Sequence, residues 1–356
     1  DKPCTVSEYN YSGPGRWQGG GGIFTGALGA IQGWDGIWRF TYSHGRDNLF
    51  QPGRLGYFDM ATDPLSQAAE RASLCLFLRG DLRTAPHSVS IAMTNADFRQ
   101  PPAQIPGLAP SWHWTAWLTR VGTVVVDDPA RALPYDLVLP LAWATPAGDF
   151  AGASAAPVGD PYQIAPEKLA ELLRQRGILT PSNPTDPGKN VFQCETGEIT
   201  IDGPRDRLTL DTPRTAGGFA PAGEVIRTAN GVQIAVQDTD ATAWVSSLDD
   251  QPIRESRRLL VTHLTDLQNT EIRYAERARQ TLLDWGQLPH LVRAGKAEVR
   301  LQLDNPAAFR VWALSTSGQR LAEVPCRATS GELSFTASVA CCPDHGAVLC
   351  YEIARP

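Results

Sequence analysis

The sequence predicts a mixed α and β protein that is mainly β. Strand-like and helix-like segments alternate over the first eighty residues, which is the pattern of parallel α/β folds. From about Ala85 onward, short apolar runs recur between turn residues, which is typical of antiparallel sheets in a sandwich. At 356 residues the chain exceeds the ~250–300 residues at which single hydrophobic cores stop growing, so we expect at least one domain boundary.

The N-terminal segments predict two strands, each followed by a helix. CTVSEYN (residues 4–10) reads as a short buried strand, and the small residues of the helical segment 20–34 allow it to pack close to a sheet. DGIWRFTYSH (residues 35–44) is the second strand, with aromatic residues at every second position. The second helix has Asp63 as N-cap, Pro64 at its first position and Gly80 just past its end.

The remaining chain predicts the sandwich, interrupted by one helix. That helix lies near residues 166–176, with Pro166 at its start and Gly177 as its stop. The segment SWHWTAW (residues 111–117) predicts a sandwich core strand, with a sugar-binding strip as the alternative. We therefore divide the chain at residue 84, into residues 1–84 and 85–356. The strand segments are HSVSIAM, EITID, RLTLDT, GVQIAVQD, TAWVSSL, RRLLVTHL, KAEVRLQL, FRVWAL, ELSFTA and AVLCYEI.

Composition and charge exclude several kinds of partner. Charged residues make up 20% of the chain and the formal net charge is -6, so neither nucleic acid nor an anionic membrane surface is an expected partner. No stretch approaches ~18 consecutive apolar residues, and the first residues lack the pattern of a signal peptide. A neutral substrate is the simplest fit to this low charge.

The seven cysteines predict no metal site, because they show neither a CxxC motif nor a Cys/His cluster with zinc spacing. Their odd number excludes complete internal pairing. One disulfide among the four C-terminal cysteines (Cys326, Cys341, Cys342 and Cys350) is compatible with their spacing. No GxSxG or GxGxxG motif stands in the expected context, so no cofactor is expected.

Glu8 is the main candidate for catalysis. A carboxylate at the carboxyl end of a parallel strand lies where barrel enzymes hold their reacting groups. Glycoside hydrolysis uses two carboxyl groups, and in retaining enzymes one of them attacks the anomeric carbon. On position alone, a solvated loop or helix-capping carboxylate is the commoner role for such a residue.

Three segments resemble the last two βα units of a (β/α)8-barrel glycoside hydrolase: residues 2–17, 27–44 and 63–85. The similarity is to the cellulase and β-galactosidase-like clan of retaining enzymes, in its large bacterial type with C-terminal β-sandwich domains. It implies that Glu8, within Ser7-Glu8-Tyr9-Asn10, is the nucleophile. It also implies that the acid/base glutamate and barrel strands one to six lie outside these residues. The chain then corresponds to the C-terminal portion of a truncated hydrolase and is expected to be inactive alone.

Four further residues are candidates for substrate binding. Asn10 is expected to position Glu8 or a substrate hydroxyl, and Trp17 to form a rim platform for a sugar ring. Tyr42 and His44 either contact a sugar or have structural roles, whereas Trp38 and Phe40 are expected to pack between strand and helices.

The resemblance also bears on partners and location. A second chain or a homo-oligomer is expected to cover the incomplete barrel. An extracellular or periplasmic location is favoured for the parent enzyme. The alternative function is a non-catalytic β-sandwich module that binds carbohydrate or protein.

Overall fold

The computed structural model describes residues 3–99, 110–126, 135–140 and 165–355, and the fold is mixed α and β with sheet predominating. The chain forms two compact units. The first consists of Asp1–Gly29, Trp34–Leu82 and Arg205–Pro356, and the second of Ala30–Gly33 and Arg83–Pro204. The predicted division at residue 84 and the role assigned to each part stay predictions.

The helices and strands are numbered in chain order. The α-helices are α1 (Gly21–Gln32), α2 (Pro64–Ser73), α3 (Asn95–Phe98) and α4 (Pro166–Gln175). The strands are β1 (Thr5–Tyr9), β2 (Gly36–Arg39), β3 (Ser88–Met93), β4 (Arg120–Val125), β5 (Leu137–Pro140), β6 (Val191–Gln193), β7 (Ile199–Asp202), β8 (Arg207–Asp211), β9 (Thr215–Ala220), β10 (Val225–Arg227), β11 (Val232–Val236), β12 (Ala241–Ser247), β13 (Arg258–Leu264), β14 (Leu267–Thr270), β15 (Arg273–Tyr274), β16 (Leu282–Asp284), β17 (Gln287–Val292), β18 (Lys296–Gln302), β19 (Arg310–Leu314), β20 (Arg320–Val324), β21 (Cys326–Thr329), β22 (Glu332–Ser338) and β23 (Cys350–Ala354).

Strands β1 and β2 form a two-stranded parallel sheet, with Thr5 opposite Gly36 and Val6 opposite Ile37. Helix α1 connects them, as a parallel pair requires. The small residues of α1 bring its backbone against α2: a Cβ on Gly22 would lie 1.8 Å from the carbonyl oxygen of Ala69. A Cβ on Gly29 of the same helix would lie 2.6 Å from Ile37 of β2, so the predicted close packing of this helix against a sheet is confirmed.

Helix α2 begins and ends as the sequence predicts. The Asp63 carboxylate accepts a hydrogen bond from the backbone N–H of Ser66 at 2.9 Å, and Pro64 occupies the first helical position. A π-helical turn, Leu74–Leu78, continues the helix. Gly80 follows with a φ of +71°, a conformation that costs little without a Cβ.

Two antiparallel sheets of the first unit share one apolar core, which is consistent with a β-sandwich. One sheet has the strand order β20-β19-β23-β13-β12-β9-β8 and the other β10-β11-β18-β22-β21. Both sheets contribute to the buried core, the first through Val245, Val261 and Ile353 and the second through Ile234 and Val299. The predicted barrel units remain a prediction, because a single parallel pair does not define a barrel.

The second unit corrects two expectations. Three of its strands form a parallel sheet in the order β4-β3-β5, whereas an antiparallel arrangement was predicted for residues 87–93. The β3–β4 connection is long enough for the crossover that parallel pairing needs. The segment Pro110–Trp117 is a 3-10 helix and not a strand. Its Trp114 ring is buried and stacks on Phe192 at 5.5 Å, so burial is achieved without an extended backbone.

Helix α4 covers the core of the second unit. It begins at Pro166, and Leu169 and Leu173 on its inner face are fully buried. These side chains pack in one cluster with Val89 and Ile91 of β3. The helix predicted near residues 166–176 is therefore part of this second unit.

The seven cysteines all lie within the described ranges and all are free thiols. The Sγ atoms of Cys341 and Cys342 are 3.6 Å apart, so the disulfide allowed by the C-terminal spacing is not formed. Within residues 3–99, 110–126, 135–140 and 165–355, no helix has the length and apolar character to cross a membrane. In the same ranges, no three His, Cys, Asp or Glu side chains are grouped to hold a metal ion.

Candidate functional site

The two faces of the β1–β2 sheet have different surroundings. Ile37 and Arg39 of β2 point toward the helices, since a Cβ on Gly29 of α1 would lie 2.6 Å from Ile37 and Arg39 donates a hydrogen bond to Ser66 of α2 at 2.7 Å. Side chains alternate along a strand, so Trp38 points the opposite way. Its ring is 57% exposed. The expectation that Trp38 packs between strand and helices is therefore wrong.

A partly buried polar cluster lies on the helix side of this sheet. The hydroxyls of Tyr9 and Tyr11 donate hydrogen bonds to the two carboxylate oxygens of Glu70, the second at 2.6 Å. The Arg39 guanidinium stacks 3.8 Å from the centre of the Tyr11 ring. Burial, followed by the Glu70 carboxylate, raises the pKa of both phenols well above the ordinary value. Both tyrosines therefore remain neutral donors that fix β1 against α2.

Ser7 and Glu8 lie between Val6 and Tyr9, which pair with Ile37 and Arg39 on the helix side, so both stand opposite Trp38 on the open face of the sheet. The pairing register shifts between Val6 and Tyr9, which places an irregularity at the position of Glu8. The side chain is exposed and makes no hydrogen bond or ion pair with any residue that the structure describes. Glu8 and Trp38 thus share an open sheet face, with a carboxylate accessible from solvent.

Asn10 and His44 contact the same pair of aromatic residues. The Asn10 amide donates to the carbonyl oxygens of Phe40 and Phe58, the latter at 3.4 Å. The His44 ring contacts Phe40 edge to face, with 5.2 Å between ring centres. His44 Nδ1 lies 3.0 Å from the Asp59 carboxylate, which sequence reasoning did not identify. Asn10 therefore fixes the end of β2, and its side-chain oxygen is buried without a partner in the described structure.

Tyr42 follows the same strand and is 55% exposed, while its carbonyl accepts a hydrogen bond from the backbone N–H of Ala61 at 2.8 Å. Its ring is available to a ligand. Phe40 is half-buried and its ring contacts those of His44 and Phe58, whereas its expected packing between strand and helices stays a prediction.

Trp17 belongs to a different site, a cavity of about 360 Å³ within the first unit. Its ring contacts Phe219 edge to face at 5.0 Å, and the Arg16 guanidinium lies over it at 4.6 Å. Arg16 is itself held by Asp240, with 2.8 Å between Nη2 and Oδ2. The indole is 47% exposed, so an aromatic surface remains beside the cavity.

A cluster of ion pairs around the buried Asp266 forms another wall of this cavity. Both carboxylate oxygens of Asp266 accept hydrogen bonds from Arg279, at 2.9 and 2.6 Å, and Arg293 adds a contact at 3.2 Å. Burial opposes ionisation, but the bonds and charges of the two arginines outweigh it and lower the pKa of Asp266 below its ordinary value. Sequence reasoning missed this cluster. The charge-rich run EIRYAERARQ (residues 271–280) is its only visible signal.

Comparison with known proteins identifies neither a matching family model nor a matching curated protein. The glycoside hydrolase resemblance around Glu8 therefore stays a prediction. The same holds for the roles assigned to Asn10, Trp17, Tyr42 and His44.

Proposed function

We propose that the chain is the C-terminal portion of a retaining O-glycoside hydrolase that acts on a poly- or oligosaccharide, with Glu8 as its nucleophile. The observation that supports this most directly is the position of Glu8 near the carboxyl end of the parallel strand β1. Its exposed carboxylate lies on the face of the sheet opposite α1 and α2. In a (β/α)8 barrel that face lines the interior, and the strand ends carry the reacting groups.

The chemistry assigned to Glu8 is a double displacement. The carboxylate attacks the anomeric carbon and forms a glycosyl ester as the bond to the leaving-group oxygen breaks. That oxygen takes the bonding electron pair and a proton from a second carboxyl group about 5–5.5 Å from the nucleophile. Water then cleaves the ester, with the second group acting as base. We assign the second carboxyl group to a barrel strand outside these residues.

The neighbouring side chains have roles that fit this assignment. Trp38, on the same face as Glu8, and Tyr42, beyond the end of β2, present exposed rings on which a sugar can stack. His44, held by Asp59, provides a polar contact for a substrate hydroxyl. Asn10 acts as a positioning residue through its bonds to the carbonyls of Phe40 and Phe58.

A mechanism-based fluoro-sugar, followed by peptide mapping, tests the nucleophile in a protein that joins residues 1–356 to the missing barrel strands. We expect the label on Glu8, and we expect Glu8→Gln to lose at least ~10³-fold in turnover, about 4 kcal/mol of transition-state stabilisation. Glu255→Gln, at an exposed glutamate on a loop, is the matched control and should retain activity. A label on any other residue, or full activity of Glu8→Gln, would contradict the assignment.

We predict that residues 1–356 alone have little or no activity on aryl glycosides. One carboxylate cannot both attack the sugar and protonate its leaving group in the same step. Turnover by the isolated chain would show that the site is complete and that the proposed second carboxyl group is misplaced.

The cavity beside Trp17 favours the alternative of a non-catalytic module that binds carbohydrate, because it offers a binding site that does not involve Glu8. Saccharide binding that persists without any fluoro-sugar labelling of the extended protein would select this alternative.

A further inference from the structure

Two of the three carboxylates that line the cavity beside Trp17 are already bound by protein donors. Asp266 receives hydrogen bonds from Arg279, Arg293 and Gln268, so both of its oxygens are used. Asp240 is paired with Arg16. A ligand that needs hydrogen-bond acceptors therefore finds these two carboxylates engaged.

The donors are not all occupied. Arg277 lines the cavity, is exposed, and has no ion-pair partner among the residues that the structure describes. Arg293 is 52% exposed and has a single side-chain contact, at 3.2 Å, to an oxygen that Arg279 already binds. The cavity is lined by four arginines and three carboxylates, so it carries a positive surplus in a chain of net charge -6.

The free hydrogen-bond donors of Arg277 and Arg293 favour an anionic ligand. A sugar hydroxyl is both donor and acceptor, whereas a carboxylate only accepts, and arginine binds carboxylates with strong charge-assisted bonds. The exposed indole of Trp17 adds a flat surface on which a sugar ring can stack. At about 360 Å³ the cavity is at the lower end of the ~300–1,000 Å³ typical of small-ligand pockets.

We propose that this cavity binds a carboxylate-bearing sugar residue, a uronate, with the carboxylate on Arg277 and Arg293 and the ring against Trp17. The choice of a sugar rests on the proposed glycosidase function, whereas the choice of an anion rests on the unused donors alone.

Isothermal titration calorimetry of the 356-residue chain with glucuronate tests the proposal. Glucose is the neutral sugar for comparison, and acetate is the carboxylate without a ring. We expect glucuronate to bind at least tenfold more tightly than either. Arg277→Gln and Arg293→Gln should each weaken binding at least fivefold, and added salt should weaken it in the wild type. Arg300→Gln, at a similarly exposed arginine paired with Glu298, should leave binding unchanged.

Three outcomes would overturn the proposal. If glucose binds as tightly as glucuronate, the carboxylate does not contribute to binding. If acetate binds as tightly, the sugar ring does not contribute. If both cavity variants bind glucuronate as the wild type does, the ligand binds elsewhere. Thermal denaturation of each variant checks that it is folded. The titration does not use Glu8, so glucuronate binding together with failed labelling of Glu8 counts against the catalytic proposal alone. Labelling of Glu8 without glucuronate binding counts against the uronate site alone.

Discussion

At the scale of single residues, His263 in β13 is expected to make the stability of the fold depend on pH. Its side chain is fully buried, and neither ring nitrogen has a hydrogen-bond partner in the described structure. Burial lowers the pKa of His263 from 6.5 to about 4. Between these values the unfolded chain binds a proton that the folded chain excludes, so this residue makes the fold less stable as pH falls.

We predict that His263→Leu removes this sensitivity. Each pKa unit corresponds to about 1.4 kcal/mol, so the stability of the variant relative to the wild type should rise by about 3 kcal/mol between pH 7 and pH 4. Urea denaturation followed at several pH values measures the difference. A constant difference in unfolding free energy across this range would show that His263 does not titrate as its burial requires.

Asp63 supplies the control, because its effect has the opposite sign. Burial raises the pKa of its carboxyl from 3.8 to about 6, against the hydrogen bonds from Ser66 and Gln18. The folded chain therefore holds a proton that the unfolded chain releases, and this contribution to stability is lost as pH rises from about 4 to about 6. Asp63→Asn keeps a good N-cap. Relative to the wild type it should lose stability between pH 7 and pH 4, whereas His263→Leu gains it.

At the scale of elements, the tripeptide Arg79-Gly80-Asp81 after α2 has a structural role. Arg79-Gly80-Asp81 resembles an exposed recognition tripeptide, yet the Asp81 side chain is completely buried. Its carboxylate pairs with Arg79 and with Arg214, the latter at 2.7 Å, and accepts a hydrogen bond from Thr215 at 2.7 Å. These contacts of Asp81 therefore connect the segment after α2 with the start of β9.

Removing this carboxylate should be costly. We predict that Asp81→Ala lowers the free energy of unfolding by about 3–5 kcal/mol, because two partly buried arginines lose their partner. Asp304→Ala is the matched control: Asp304 also pairs with an arginine, Arg254, but both side chains are more than half exposed. Its loss should cost less than about 1 kcal/mol. Equal effects of the two variants in urea denaturation would contradict the structural role of Asp81.

The elements that the sequence predicts correctly are those with local signals. The start of α2 follows from Asp63 and Pro64, and its end from Gly80, since capping chemistry depends on a few neighbouring residues. The sandwich strands follow from alternation, as in β18, where every second side chain is buried. The parallel pairing of β3 was not predictable, because alternation does not encode the direction of a neighbouring strand.

The residues of the candidate site also differ in whether the sequence alone reveals them. The position of Glu8 near the carboxyl end of a strand follows from the apolar run and the motif around it, whereas the face on which it lies depends on the pairing register of β1. Asp59, the partner of His44, and the cluster of Asp266 with Arg279 and Arg293 depend on loops that meet only in the folded chain. Their chemistry becomes recognisable through distances, which no spacing in the sequence supplies.

At the scale of the whole molecule, the β1–β2 sheet is unusual because parallel sheets are normally covered on both faces. Here α1 and α2 cover one face, while Trp38 on the other is 57% exposed. Each strand has a single neighbour within the described structure, so each also has an edge with unpaired backbone groups. Such a surface favours pairing with further strands, whether from the rest of a barrel or from a second copy.

We predict that the isolated 356-residue chain self-associates through this face. Sedimentation equilibrium should show a mass that rises with concentration, and Trp38→Ser should reduce it because the largest exposed apolar side chain on the face is lost. Phe50→Ser is the matched control, since Phe50 is 75% exposed but lies outside the sheet. If the face is instead free in solution, the mass stays that of a monomer at every concentration, and residues 37–42 exchange their amide hydrogens rapidly. That combination would contradict the need for a covering partner and would weaken the proposal of an incomplete barrel at the same time.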